Sequence, residues 1–238
     1  MKNNYQGALE AFPSLDQADE DGLLAMGGDL SPERLLYAYS AGIFPWFEQG
    51  QPILWWSPDP RCVLYPSQFK TSRSLKQSIK RAKLTVTFDQ AFDQVITACA
   101  EPRGLEIGTW ITSDMNKAYC ALHALGCAHS VEVWRGDALV GGLYGVALGK
   151  IFYGESMFSK VADASKFGLK SLCELLITKQ FHLIDCQVES AHLMSLGACL
   201  LPRSEFIEQM NAALNIDLEQ AKSMGEHWSG LSVNGATT

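Results

Sequence analysis

Two apolar segments of the sequence carry polar side chains that could do chemistry. In 184–187, Asp185 and Gln187 alternate with apolar residues, and in 154–158 Glu155 follows a glycine within another apolar run. Alternate side chains of a strand share a face, so Asp185 and Gln187 should lie together. Because burying such groups unpaired is costly, they predict either a polar cluster at a cleft or a strand edge that faces solvent.

Several other motifs argue against common classes of enzyme. Ser156 precedes Met157 and Phe158, and Phe158 stands where the nucleophile elbow of a serine hydrolase needs its second glycine. The glycine-rich run 141–149 lacks the dinucleotide fingerprint, and 159–166 lacks a Gly-rich loop of the kind that binds coenzyme A. The Cys and His residues between positions 120 and 129 lack zinc-ligand spacing. We therefore expect no metal and no cofactor.

A basic stripe stands out in a chain whose net charge is −7, with no acidic residue between Lys70 and Asp89. Its members are Arg73, Lys76, Lys80, Arg81 and Lys83. Trp46 and Trp110 lie in turn-like segments. Cations beside aromatic rings are what single-stranded nucleic acid needs for its phosphates and bases. A solvated helix and a hydrophobic core are the simpler interpretation of the same residues.

The composition favours a folded cytoplasmic protein. The 238 residues are 47% hydrophobic, which suits a well-filled core, and no apolar run approaches the roughly 18 residues that cross a bilayer. The first residues lack the apolar stretch of a signal peptide. Seven cysteines without a Cys-x-x-Cys motif favour free thiols over a disulfide framework. We expect no membrane partner and a monomer.

The hydrophobic pattern predicts an α+β protein with a small domain over 1–62 and a larger one over 63–238. In the first, Ser31 and Pro32 predict the start of a helix that ends at Gly42, and the rest is rich in aromatics but poor in regular structure. The larger domain should contain helices over 74–82, 90–100, 114–125, 164–179, 191–197 and 203–214, and strands over 84–88, 130–135, 139–148, 151–158 and 183–188. The tail after Ser229 should be flexible.

Taken together, the motifs resemble the leucyl/phenylalanyl-tRNA–protein transferases. The matching stretches, which keep the same order along the chain, are 22–30, 42–47, 55–61 (WWSPDPR), 108–112, 129–134, 154–159 (GESMFS), 184–187 (IDCQ) and 195–198. The resemblance implies a C-terminal domain of the GNAT acetyltransferase-like fold. It also implies transfer of Leu or Phe, and less readily Met, from aminoacyl-tRNA to proteins that begin with Arg or Lys, which tags them for degradation by the N-degron pathway.

The resemblance also implies roles for individual residues. The catalytic pair corresponds to Asp185 and Gln187. Because a Gln amide does not titrate near neutrality, Gln187 should orient the attacking amine, with Asp185 either holding Gln187 or attracting the cationic N-terminal residue. Glu155 is the other candidate to receive that Arg or Lys. The basic stripe should hold the acceptor stem through its phosphates, and Trp46 and Trp110 should stack on the terminal adenosine.

An apolar pocket should hold the side chain of the transferred amino acid. By resemblance its lining includes Leu143, Phe152, Met157, Leu169 and Leu172. Leu143 stands where Met is common in the family and Leu172 where Phe is common, so the order of preference among Leu, Phe and Met is open. Two other functions also stay open: an aminoacyl-tRNA-dependent transferase that modifies lipid or wall peptide, and an RNA-binding module without catalysis.

Overall fold

The computed structural model describes residues 11–101, 111–214, 228 and 232–234. The helices are α1 (Pro32–Ser40), α2 (Arg73–Ala82), α3 (Phe92–Cys99), α4 (Ser113–Ala124), α5 (Ala164–Thr178), α6 (Ala191–Ser195) and α7 (Arg203–Leu214). The strands are β1 (Leu23–Met26), β2 (Phe44–Pro45), β3 (Leu54–Trp56), β4 (Arg61–Leu64), β5 (Thr85–Phe88), β6 (Ala128–Arg135), β7 (Ala138–Leu148), β8 (Ile151–Ser159), β9 (Leu183–Gln187), β10 (Cys199–Leu201) and β11 (Ser232–Asn234). The mixed α and β class is confirmed.

Eight strands form the central sheet in the order β10-β4-β9-β8-β7-β6-β5-β11, and β1, β3 and β2 form a second, three-stranded sheet. Neighbours in the central sheet are antiparallel except β8 and β9, which are parallel. The boundary predicted near residue 62 falls within β4, and the division into two domains stays a prediction.

Local signals in the sequence explain where several elements begin and end. The Ser31 hydroxyl accepts a hydrogen bond from the Arg34 amide at 3.3 Å and caps α1. Gly42 follows that helix with φ +76°, a conformation that favours glycine, and an added Cβ there would lie 2.4 Å from the Ile207 side chain. The predicted start and stop of this helix are confirmed.

Both faces of the central sheet are covered. On one face, residues of α1, α3, α4 and α7 pack against Tyr144, Val146 and Tyr153. On the other, α2 and α5 pack against Leu143 and Ile184. Helix α2 buries the i, i+4 pair Leu75 and Ile79 and exposes its four members of the basic stripe. The fifth, Lys83, follows the helix and is also exposed.

Two expectations about secondary structure are wrong. The tail after Ser229 was expected to be flexible, but its described residues, Ser232–Asn234, form a strand that pairs with the free edge of β5. The aromatic-rich region before residue 62 contains the three-stranded sheet. In both places strands of two to four residues are too short for alternation to reveal them. Within the described ranges, no helix is long and apolar enough to cross a membrane.

Candidate active site

A cavity of about 1110 Å³ lies where the parallel strands β8 and β9 part. They pair at only three positions, from Ile151 opposite Leu183 to Tyr153 opposite Asp185. Beyond Asp185, β9 continues to Gln187 beside β4, while β8 continues to Ser159 beside β7. Both strands, β7 and α5 contribute to the walls of the cavity. A split within a sheet thus brings side chains from both of its faces to one space.

The apolar end of the cavity contains all five residues predicted for the donor pocket. They are Leu143, Phe152, Met157, Leu169 and Leu172. A methyl group on Gly145 would approach the ring of Phe152 to 2.6 Å, so the absence of a side chain at Gly145 makes room for that ring. The structure therefore brings these side chains together, and their role as a donor pocket stays a prediction.

Glu155 occupies a β-bulge at the polar end of the cavity. Tyr144 pairs with Ser156 and Gly145 pairs with Gly154, so Glu155 has no partner of its own on β7. Bulges of this kind re-aim a side chain and are common beside active sites. Here the bulge sends the carboxyl group of Glu155 towards two buried tyrosines of α1 and α4.

Three short contacts join Glu155, Tyr39 and Tyr119 in a ring. Glu155 Oε1 lies 2.8 Å from the Tyr39 hydroxyl, Glu155 Oε2 lies 2.7 Å from the Tyr119 hydroxyl, and the two hydroxyls are 2.6 Å apart. The two hydroxyl protons can fill only two of the three contacts. A third proton, carried by the carboxyl group, completes the ring. The ring is therefore complete only when the carboxyl group is protonated.

The electrostatics of Glu155 agree with this count of protons. Burial disfavours the charged carboxylate, and although the hydrogen bonds from Tyr119 and Tyr39 act in the opposite direction, the pKa of Glu155 rises from its ordinary 4.5 to about 7. Burial likewise raises the pKa of both tyrosines well above 10, so they remain protonated at neutral pH. Glu155 can thus gain or lose its proton near neutral pH.

This pKa predicts how the stability of the protein depends on pH. Between pH 4.5 and about 7 the folded state holds the Glu155 proton more tightly than the unfolded state does, so the stabilisation from this proton declines as the pH rises. The shift corresponds to about 3 kcal/mol over that window. In Glu155→Gln this contribution is absent. The difference in free energy of unfolding between wild type and variant, measured by urea titration, should therefore change by that amount across the window.

A matched control for this comparison is Glu101→Gln, because the Glu101 side chain is 56% exposed. Its difference from wild type should stay nearly constant with pH. If the free energies of unfolding of Glu155→Gln and Glu101→Gln depended on pH in the same way, the raised pKa of Glu155 would be contradicted.

Gln187 lies beside Glu155 and ends β9. Its side-chain nitrogen donates to Glu155 Oε1 at 2.9 Å, which leaves the amide carbonyl oxygen as an acceptor at the cavity wall. Its backbone has φ +63°, which is strained for a residue with a Cβ. Strain of this kind persists only where the surroundings fix it. Here the backbone N–H of Gln187 donates to Asp185 Oδ1 at 2.9 Å, which fixes this conformation.

Asp185 itself does not reach the cavity. It is fully buried, and Arg61 donates to both of its oxygens, from Nε at 2.8 Å and from Nη2 at 2.7 Å. The Arg61 guanidinium lies between the rings of Phe44 and Phe206, at 4.7 and 4.8 Å from their centres. The solvent-facing alternative for β9 is wrong, because β9 lies between β4 and β8 in the middle of the sheet. Asp185 is also enclosed where no cationic substrate can contact it.

Arg61 is the main residue of the site that sequence reasoning missed. In the sequence, Arg61 is marked only by its position at the end of the stretch 55–61 that resembles the family. The signal that could have indicated its burial is that this cation directly precedes the apolar strand residues Cys62, Val63 and Leu64. A buried arginine needs a buried acid, and Asp185 was the acid within an apolar strand.

Of the residues predicted to contact tRNA, Trp46 lies at the cavity and the basic helix α2 does not. Trp46 lines it and is 43% exposed, and its backbone oxygen accepts a hydrogen bond from the Trp56 ring at 2.6 Å. Trp55, by contrast, is fully buried. Trp110 lies outside the described residues. The basic helix α2 packs against α5, which supplies Leu169 and Leu172 to the cavity.

Comparison with known proteins shows similarity along most of the chain. A family model described as leucyl/phenylalanyl-tRNA protein transferase matches residues 63–211, and the model of that family's N-terminal domain matches residues 28–59. The leucyl/phenylalanyl-tRNA–protein transferase of Syntrophotalea carbinolica is 58% identical over 85% of this chain and 88% of its own. That of Lawsonia intracellularis is 51% identical over 89% and 93%. Among solved structures, L-PGS from Bacillus licheniformis matches with a TM-score of 0.37 at 9% identity, over 86% of this chain and 65% of that one.

Proposed function

Because the chain belongs to the leucyl/phenylalanyl-tRNA–protein transferase family and is an aminoacyltransferase, we propose that it moves Leu or Phe, and less readily Met, to proteins that begin with Arg or Lys. The transfer tags these proteins for degradation by the N-degron pathway in the cytoplasm. The C-terminal domain is GNAT-like in this proposal. The observation that carries it is one cavity with an apolar end for the donor side chain and a polar end at Glu155 and Gln187.

The reaction in this proposal is aminolysis of an ester. The acceptor's α-amine attacks the ester carbonyl carbon, a C–N bond forms, and the C–O bond to the terminal ribose of the tRNA breaks. The amine loses a proton and the ribose oxygen gains one. Since an α-amine has a pKa near 8, roughly a tenth of it is already neutral at pH 7. Alignment of amine and ester can supply on the order of 7–11 kcal/mol of the barrier reduction.

Gln187 provides the alignment. Its amide nitrogen is engaged by Glu155, so its carbonyl oxygen accepts a hydrogen bond from the attacking amine. Asp185 acts through the Gln187 backbone and is held by Arg61. This geometry supports the holding role for Asp185 over direct attraction of the acceptor. Because Glu155 gains or loses its proton near neutral pH, we assign it the exchange of a proton with the reacting amine rather than the binding of the acceptor's Arg or Lys side chain.

The apolar end of the cavity selects the donor. Leu143 and Leu172 are both buried and face it. Each methylene by which two donor side chains differ is worth only about 1–3 kcal/mol in such a pocket. We therefore expect preference for Leu and Phe with incomplete exclusion of Met.

The exposed cations of α2 predict a contact with tRNA phosphates. Lys76→Glu combined with Lys80→Glu should raise the KM for aminoacyl-tRNA about tenfold or more at low salt, because two attractive charges become repulsive. The same change should flatten the dependence of KM on salt concentration. Steady-state transfer at several salt concentrations measures both effects.

Lys117→Glu is the matched control for this charge reversal. Lys117 is a lysine of α4 whose side chain is 75% exposed, so its reversal should leave the KM unchanged. An unchanged KM in the α2 double variant would remove the basic stripe from the tRNA contact.

One assay tests the proposed function. Labelled leucyl-tRNA is incubated with a reporter protein that begins with Arg, and incorporation of label at its N-terminus is measured by N-terminal sequencing. A reporter that begins with Gly is the control. Label in lipid or wall peptide but not in the Arg reporter would favour the related transferases that use other acceptors. Family membership already argues against an RNA-binding module without catalysis.

A further inference from the structure

Cys62 and Cys186 lie side by side on neighbouring strands beneath the catalytic end of β9. Cys62 of β4 pairs with Gln187, and Val63 pairs with Asp185, so Cys186 falls at a register shift directly beside Cys62. Both side chains belong to the same apolar cluster as Leu172 and are on the face opposite Arg61. Neighbouring strands are about 4.8 Å apart, within the range of about 4.4–6.8 Å between the Cα atoms that a disulfide can join.

The two thiols differ in their access to solvent. Cys62 is fully buried, whereas Cys186 is half-buried and lines the cavity. The interaction between the two sulfurs lowers the pKa of Cys62 and raises that of Cys186. Cys186 therefore keeps its proton until it reacts. All seven cysteines of the chain are free thiols.

We propose that Cys62 and Cys186 form an oxidation site, at which hydrogen peroxide that enters the cavity converts the two thiols to a disulfide. Cys186 sulfur attacks one peroxide oxygen, so an S–O bond forms, the O–O bond breaks, and hydroxide leaves and takes up the thiol proton as water. Cys62 sulfur then attacks Cys186 sulfur, so the S–S bond forms, the S–O bond breaks, and a second water leaves. Two thiols lose two electrons and peroxide gains them.

The disulfide changes the site in a defined way. It draws Cys186 from the cavity wall towards β4 and fixes the residue that precedes the strained Gln187. Misplacing a positioning group by an ångström can cost about a hundredfold in rate, so oxidation slows transfer and reduction restores it. The modification itself is independent of the proposed function, and only its effect on transfer depends on it.

Oxidation of the full chain tests the pair. After treatment with hydrogen peroxide and alkylation of the remaining thiols, peptide mass spectrometry should find the peptides of Cys62 and Cys186 joined, two hydrogens lighter, and separable by a phosphine reductant. Transfer should fall about tenfold or more and recover on reduction. Cys120→Ala is the matched control, because Cys120 is a half-buried thiol of α4 that donates hydrogen bonds to Asp93 and Asn116, away from β4 and β9. It should behave as wild type does.

Cys62→Ala separates a disulfide from damage at Cys186 alone. Relative to its own reduced state, this variant should form no cross-link and should show no loss of transfer that reduction reverses. The proposal fails if wild type gives no joined peptide at peroxide doses that oxidise Cys120, or if Cys62→Ala is inactivated reversibly to the same extent. If no transfer is detected even in reduced wild type, the proposed function fails while the mass spectrum still decides the oxidation site.

Discussion

Replacing Arg61 by methionine should lower the free energy of unfolding by about 3–5 kcal/mol, because it leaves the buried carboxylate of Asp185 without its partner. Both side chains are completely buried, and the two hydrogen bonds of 2.8 and 2.7 Å join them in a bidentate pair. Burial of an uncompensated charge costs several kcal/mol. Urea denaturation of wild type and variant measures the loss.

A double variant isolates the cause of that loss. Arg61→Met with Asp185→Leu removes both charges and should recover most of the stability, since apolar replacements of a buried pair are often neutral. The remaining loss of stability comes from the backbone N–H of Gln187, which loses its acceptor Asp185 Oδ1. An unsatisfied N–H group there costs about 1–3 kcal/mol. The exposed pair Lys117–Asp114 is the control, and Lys117→Met should change stability by less than about 1 kcal/mol.

Activity should not follow stability in these variants. The double variant folds but no longer fixes the Gln187 backbone, so transfer should remain low even well below its melting temperature. A double variant that was both stable and fully active would show that Asp185 and Arg61 serve only the fold. A single Arg61→Met variant as stable as wild type would contradict the buried ion pair itself.

Helices and strands of the protein can be predicted from the sequence where their signals are local. The cap at Ser31, the stop at Gly42, and the apolar pair Leu75 and Ile79 of α2 each act within one or two turns of helix, so spacing alone locates them. The strands of the meander β6 to β8 are eight to eleven residues long, which is enough for turns and strands to be distinguished. The short strand β11 gives no such signal, since the free edge of β5 is what orders it.

The candidate site could be predicted only in part, because its geometry depends on contacts between residues that are far apart in the sequence. The resemblance indicated Glu155, Asp185 and Gln187, and all three are close together. The partners that decide their chemistry are 36 residues away for Tyr119, 116 for Tyr39 and 124 for Arg61. Polar residues within an apolar strand show that partners exist, but they do not identify them.

Two irregularities of the sheet explain why the chemistry is located here. The bulge turns Glu155 into the ring of tyrosines, and the parting of β8 from β9 opens the space that its carboxyl group faces. Neither feature follows from regular alternation, because each is a departure from it. The strained backbone at Gln187 is a third departure, and it adjoins the other two.

Truncating Gln187 should have a large effect on rate and a small one on stability. Gln187→Ala removes the carbonyl that aligns the amine, and we expect kcat to fall about a hundredfold, as for other losses of precise alignment. The KM for the donor should change little, because the apolar end of the cavity is untouched. Stability should fall by no more than about 1 kcal/mol, since Glu155 keeps its contacts with both tyrosines. Single-turnover transfer and urea denaturation measure the two effects.

Gln187→Gly and Gln187→Asn separate the amide from the strained backbone. Glycine accepts φ +63° without strain, so Gln187→Gly should be at least as stable as Gln187→Ala and equally slow. Asparagine tolerates this conformation and keeps the amide, but its shorter side chain withdraws the carbonyl from the cavity. It should therefore fold well and remain slow. If Gln187→Ala or Gln187→Asn transferred at the wild-type rate, the carbonyl of Gln187 would have no part in aligning the amine, and the strain would be a cost of the fold alone.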